Sequence, residues 1–141
     1  RYVIGVATNP WAAEPDRELK RLYWKVEAGA EFAVTQPVFD VKGLESFIKR
    51  AAEFRLPVIA GIWPLLSLRN AEFLANEVPG VYVPEAVLAR MRKAQEKGDD
   101  AARAEGVTIA REIRDAVRGA VQGMQISAPL GNVEAAVQVL Q

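Results

Sequence analysis

The sequence reads as a parallel α/β protein. Three observations lead there. Four short apolar runs, at 2–7, 32–35, 57–63 and 123–127, are bounded by turn and cap residues. Stretches with a one-face helical stripe separate them. The runs are largely apolar rather than alternating, as suits parallel strands covered on both faces. Strand and helix therefore alternate, with a wider helical stretch before the last strand.

Each element has its own signal. Tyr2–Ala7 is a buried strand that ends at Thr8-Asn9-Pro10. Pro15-Asp16 opens a helix to about Ala28, with Leu19, Leu22, Tyr23 and Val26 on one face. Gly29 terminates it. Phe32–Thr35 is the second strand. Gly43–Phe54 is helical, with Leu44, Phe47, Ile48 and Ala51 on one side. Pro57–Trp63 is the third strand and Leu68–Glu77 a helix broken by Pro79-Gly80. Pro84–Gln95 and Asp99–Gly119 are two further helices, the second with Ile109, Ile113 and Val117 four apart. Gly123–Ser127 is the fourth strand, and Asn132 caps a last helix, Val133–Leu140. Four βα units make half of an eight-stranded barrel, and an open four-stranded sheet satisfies the same pattern.

Composition narrows the chemistry. The chain has 141 residues, 50% hydrophobic and 26% charged, which suits one globular domain. Its 18 basic and 18 acidic residues balance, so it has no bulk attraction to nucleic acid or an anionic membrane. Cysteine and histidine are both absent. Thiolate chemistry, histidine triads and most zinc sites fall away, and the lack of disulfides fits a cytoplasmic protein. No apolar run approaches the ~18 residues of a membrane span. The chain opens at Arg1 beside an apolar strand and without Met, as expected of a piece of something longer.

The stretch AGAEFAVTQPVFD, 28–40, says most about function. Its strand delivers Thr35 and Gln36 at the carboxyl end, the edge where α/β folds bind ligands. Gln36 can donate and accept together, so it can read an amide-like edge on a heterocycle. Its plainer reading is a strand-end cap. Thr35 reads as a strand residue packed inside.

Five segments carry a resemblance: IGVATNP at 4–10, KVEAGAEFAVTQPVFD at 25–40, PVIAGIWPLLSLRNAEFL at 57–74, VPGVYVPEAVLARM at 78–91 and GMQISAPLGN at 123–132. In that order they resemble the carboxyl half of methylenetetrahydrofolate reductase. The details are similar to the reductase domain fused behind a homocysteine methyltransferase domain in some bacterial bifunctional proteins. The resemblance implies the C-terminal half of a (β/α)8 TIM barrel, with FAD at its carboxyl face. Residues 1–141 would be one fragment holding strands five to eight, with a helical insertion at about 84–119. The implied reaction reduces 5,10-methylenetetrahydrofolate to 5-methyltetrahydrofolate, with electrons from NADH or NADPH through FAD.

The same resemblance assigns site residues. Gln36 would contact both flavin and folate. Ala7, Thr8 and Asn9 would lie against the flavin, where the family commonly has a tyrosine at the Asn9 position. Read alone, Asn9-Pro10 is a simple turn. Glu18, Arg21 and Lys25 would hold the FAD ribose and pyrophosphate, a chemistry their side chains suit. Without the resemblance they read as a solvated helix face. Asn70 and Leu74 would meet the folate, Leu74 standing where the family usually has a phenylalanine. Phe73 lies about 100° further round the helix and points elsewhere. The last strand, with Gln125-Ile126-Ser127 and Gly131, departs from the histidine-phenylalanine-tyrosine run and basic residue of the classical reductases. Trp11, Trp24 and Trp63 carry no motif, and Trp24 reads as helix packing.

No catalytic acid or base emerges, and no metal ligands. The resemblance puts the proton donor and the aspartate beside the flavin on strands outside this chain. The expected partners are the folate substrate, the N-terminal half-barrel and, through two open sheet edges, a second copy in a homo-oligomer. Two other functions fit: a non-catalytic, self-associating half-barrel module, and a pterin-binding methyltransferase barrel.

Overall fold

Four strands pair in sequence order into one parallel sheet: β1 (Gly5–Thr8), β2 (Phe32–Pro37), β3 (Val58–Ile62) and β4 (Gly123–Ile126). The computed structural model describes all residues, Arg1–Gln141. Helix α1 (Pro15–Glu27) links β1 to β2, and α2 (Val41–Ala51) with a short 3-10 turn (Ala52–Phe54) links β2 to β3. Three helices lie between β3 and β4: α3 (Leu68–Glu77), α4 (Glu85–Gln95) and α5 (Asp99–Val117). A second 3-10 turn (Pro129–Gly131) and α6 (Val133–Leu140) close the chain. This is four consecutive βα units in an α/β sheet, half the complement of an eight-stranded barrel.

The ends of the elements follow local chemistry. Asp40, Ser67 and Asn132 cap α2, α3 and α6, accepting from Gly43, Asn70 and Ala135. Gly29 takes φ +104 after α1, a conformation glycine reaches without a Cβ penalty.

The main core lies between the sheet and helices α2 to α6, where Leu44, Ala60, Ile62, Leu65, Met91 and Val117 are buried. A smaller cluster, Leu22, Ala33, Phe47 and Ala51, sits under α1 and α2. Helix α4 is tied to α5 by Arg90. Its guanidinium donates to Glu105 at 2.6 Å and to both Glu112 oxygens at 2.5 and 3.1 Å. That bond holds the Glu112 carboxyl below the usual carboxylate range.

The structure corrects three expectations. Tyr2–Ile4 lie outside the ladder and are exposed, because β2 begins at Phe32, opposite Gly5, and offers them no register partners. Coverage of the strands on both faces is not met within this chain. Helices bury Ala33, Thr35, Val58 and Ala60 on one face. Gly5, Ala7, Phe32, Val34, Ile59, Gly123 and Gln125 share the other, and none is buried. Trp24 does not pack into the helix layer: it is 60% exposed and meets Tyr23 edge-on.

Candidate functional site

The carboxyl end of β2 is irregular, and that irregularity builds the site. Ala33 and Val34 pair with Val58 and Ile59, but the next pairing is Pro37 with Gly61. One extra residue on β2 makes a β-bulge, a device that re-aims a side chain. Thr35 holds it. Its buried hydroxyl accepts from the Gly61 N–H at 3.0 Å and donates to the Gln36 carbonyl at 2.8 Å. Gly61 is required there, since a Cβ would sit 2.9 Å from the Thr35 carbonyl oxygen. Thr35 packs inside, as its sequence context indicates.

Gln36 is thereby presented at the sheet edge, half-buried. Its side-chain amide makes no hydrogen bond within the chain, so its donor and acceptor are both free. It stands on the walls of two clefts.

The first cleft is polar, about 430 Å³, between the β1–α1 segment and α1. Ala7, Thr8, Asn9, Glu18, Arg21, Lys25 and Gln36 all line it, so one cavity gathers every residue assigned to the cofactor. Glu18 is buried, and its Oε1 accepts from the Thr8 hydroxyl at 3.2 Å and the Asn9 N–H at 2.9 Å. One carboxylate oxygen therefore fixes the loop rather than facing a ligand. Lys25 donates to the Ala7 carbonyl at 2.6 Å, which holds the ammonium at the strand end. Arg21 lies 4.0 Å from Glu18. Arg17, which the sequence reading passed over, adds a third cation to the cleft. It sits four residues before Arg21 and eight before Lys25, so helical spacing alone could have found it.

Asn9 is oriented by its neighbours. Trp11 N–H donates to its Oδ1 at 3.0 Å, which leaves the Asn9 NH₂ as its free group. That NH₂ faces Gly80, in the segment between α3 and α4. A Cβ on Gly80 would stand 2.8 Å from Asn9 Nδ2 and 3.7 Å from Gln36 Cγ. Gly80, at φ +85, lets this segment close against both residues.

The second cleft is larger and mainly apolar, about 610 Å³, between the β2 and β3 ends and α3. Gln36, Asn70 and Leu74 line it together, as expected. Asn70 Oδ1 accepts from Trp63 Nε1–H and Leu66 N–H, both at 3.3 Å, which turns its NH₂ away from them. Leu74 is 3% exposed and belongs largely to the core. Phe73 corrects the sequence reading: it does not point elsewhere but lines this cleft, and it is 54% exposed. The aromatic surface here comes from Trp63 and Phe73, one residue before Leu74 on the helix. Leu130, exposed and at φ +52, reaches the rim from the segment after β4. The fold had to bring Trp63 and Leu130 here, and no spacing in the sequence does so. No group of histidine, cysteine or carboxylate side chains is arranged to hold a metal ion. No helix is long and apolar enough to cross a membrane.

Comparison with known proteins follows this geometry. Residues 2–141 match the family model described as methylenetetrahydrofolate reductase. Methylenetetrahydrofolate reductase 1 of Schizosaccharomyces pombe is 33% identical over 88 residues, covering 55% of this chain and 15% of that protein. Methylenetetrahydrofolate reductase 2 of the same organism is 28% identical over 142 residues, covering 86% and 22%. A probable methylenetetrahydrofolate reductase (NADPH) of Caenorhabditis elegans is 28% identical over 89 residues, covering 62% and 13%. The chain therefore spans less than a quarter of each of these relatives. Among solved structures, an uncharacterized protein from Clostridium thermocellum that binds two copies of 5-methyl-5,6,7,8-tetrahydrofolic acid superposes with a TM-score of 0.72. The superposition covers 97% of this chain and 52% of that one at 18% identity, a likeness of fold.

Proposed function

Because the chain belongs to the methylenetetrahydrofolate reductase family, we propose that it forms strands five to eight of a reductase barrel that converts 5,10-methylenetetrahydrofolate to 5-methyltetrahydrofolate. FAD and a nicotinamide donor, NADH or NADPH, complete the reaction, in the cytoplasm. The observation that carries this reading is the position of Gln36. Its unpartnered amide lies on the walls of both the polar and the apolar cleft. One residue can thus touch a cofactor in the first and a substrate in the second.

The polar cleft suits a phosphate-bearing cofactor. Arg17, Arg21 and Lys25 outnumber Glu14 and Glu18, and one Glu18 oxygen is already engaged by the loop. Arg21 and Lys25 would hold phosphate oxygens, and the free Glu18 oxygen a ribose hydroxyl. When bound, FAD would supply the two-electron relay between nicotinamide and folate. The chain's own part is to bind and orient. Thr8, Asn9 and Lys25 fix the loop, Gln36 sets the relation between the two ligands, and Asn70 offers its NH₂ to the folate. The apolar cleft has no carboxylate on its wall, so the proton for this reduction would come from the other strands of the barrel. Those strands would also cover the open sheet face. Binding of 5-methyltetrahydrofolate by the structurally similar Clostridium thermocellum protein supports a folate in the second cleft.

The test is reconstitution of the complete protein with FAD. A visible flavin spectrum, bleached anaerobically by NADH or NADPH and restored by methylenetetrahydrofolate, is expected. A protein that binds folate but never FAD would overturn the reductase reading. A flavin-free dimer of this chain would favour the non-catalytic module instead.

A further inference from the structure

The apolar cleft carries one charged residue on its wall, Arg69. Most arginines of the chain pair with a carboxylate, but Arg69 is in none of the ion pairs and makes no side-chain hydrogen bond. Its position is locally unfavourable. It is the second residue of α3, and a cation in a helix's first turn opposes the helix dipole. Nothing within the chain compensates, since that turn holds no acidic residue. A local rule broken without structural return marks a functional position.

The surroundings define what Arg69 can meet. The next residue, Asn70, accepts the Trp63 indole N–H at 3.3 Å and so fixes an aromatic wall. Phe73, one helical turn on, exposes a second ring to the same cleft. A ligand matched to this arrangement has a flat aromatic body and an anionic end. Guanidinium meets a carboxylate through two parallel donors, the strongest neutral-pH pairing available to it.

We infer that Arg69 reads a carboxylate on the aromatic ligand of the apolar cleft. The inference rests on the folate reading above and deepens it: Arg69 meets the acidic glutamate tail, while Trp63 and Phe73 flank the rings. Arg69 is then a specificity residue for the acidic form of the substrate.

The experiment compares 5-methyltetrahydrofolate with its dimethyl ester, which keeps every ring and removes both negative charges. Dissociation constants are measured by calorimetry on the complete protein and on its Arg69→Gln and Arg69→Lys variants. For Arg69→Gln the acid should bind about tenfold more weakly, ~1.4 kcal/mol, with the ester unchanged. Arg69→Lys should recover part of the loss, and added salt should weaken the acid only where a cation remains. Equal losses for acid and ester, or no loss for either, would overturn the inference while leaving the reductase reading intact. An unsubstituted protein that binds neither compound would overturn both.

Discussion

The Gly61 N–H donates to the Thr35 hydroxyl at 3.0 Å, so a side chain completes the ladder where the backbone of β2 falls out of register. The bond is buried and joins strands 26 positions apart in sequence.

Thr35→Val keeps the shape of the side chain and removes the acceptor. It leaves the Gly61 N–H unpaired in the interior, at a cost of about 1–3 kcal/mol. Thr35→Ser should recover most of that loss. Urea unfolding of the three proteins measures it, and equal stability of the valine and threonine forms would sink the argument.

Gly106 gives a prediction whose sign runs against helix propensity. It lies inside α5, where alanine normally gains about 0.5–1 kcal/mol over glycine. A Cβ at this position would overlap the Leu65 carbonyl oxygen. Gly106→Ala should therefore destabilise the fold by about 1–3 kcal/mol, through forced separation of α5 from the β3–α3 segment. A lower midpoint in denaturant at unchanged slope is the expected result.

Acid should loosen α4 from α5. Arg90, by its hydrogen bond, holds Glu112 below its usual pKa of 4.5. A depressed carboxyl contributes stability above the unfolded pKa and loses it as pH falls through the native one. The window therefore lies below 4.5. Glu112 is half-exposed, so solvent screening limits the contribution to roughly 0.5 kcal/mol. Glu112→Gln should be less stable than the parent at neutral pH, and the gap should close in acid. A gap that stays constant with pH would assign the effect to packing instead.

The two clefts predict separable losses. Gln36→Leu removes an amide that both share, and should weaken folate binding by about 1–3 kcal/mol, roughly tenfold to a hundredfold. Flavin should be largely retained, because Arg21 and Lys25 remain. Arg21→Gln and Lys25→Gln should do the reverse, lowering flavin content while sparing folate. Flavin absorbance of the purified proteins and folate titrations read the two independently. Parallel losses in all three variants would mean that the clefts do not act as separate sites.

The order of elements was legible because each carries its own local signal. Leu68–Glu77 and Val133–Leu140 fall where Ser67, Pro79-Gly80 and Asn132 place them. Strand ends were harder, since a strand exists only where a partner lies. Tyr2–Ile4 look like strand and have no register partner on β2. The polar cleft could be read from Glu18, Arg21 and Lys25 on one helix, and Gln36 from its place after a strand. Phe73 was misjudged because an angle around a helix fixes direction only relative to its neighbours, and the core chose Leu74 for the inside. Gly80 and Leu130 were invisible, since their proximity to the clefts is purely tertiary.

The bulge at Thr35 also sets how this segment can change in length. Removing one residue between Val34 and Pro37 would let β2 and β3 run in even register, a locally simpler arrangement. Side chains alternate along a strand, so everything beyond the cut would swap faces. An amide now offered to ligands would turn into the helix layer, where it has no partner. Substitution at these positions is graded, but a one-residue deletion is all or nothing: the sheet could survive it, and the site could not.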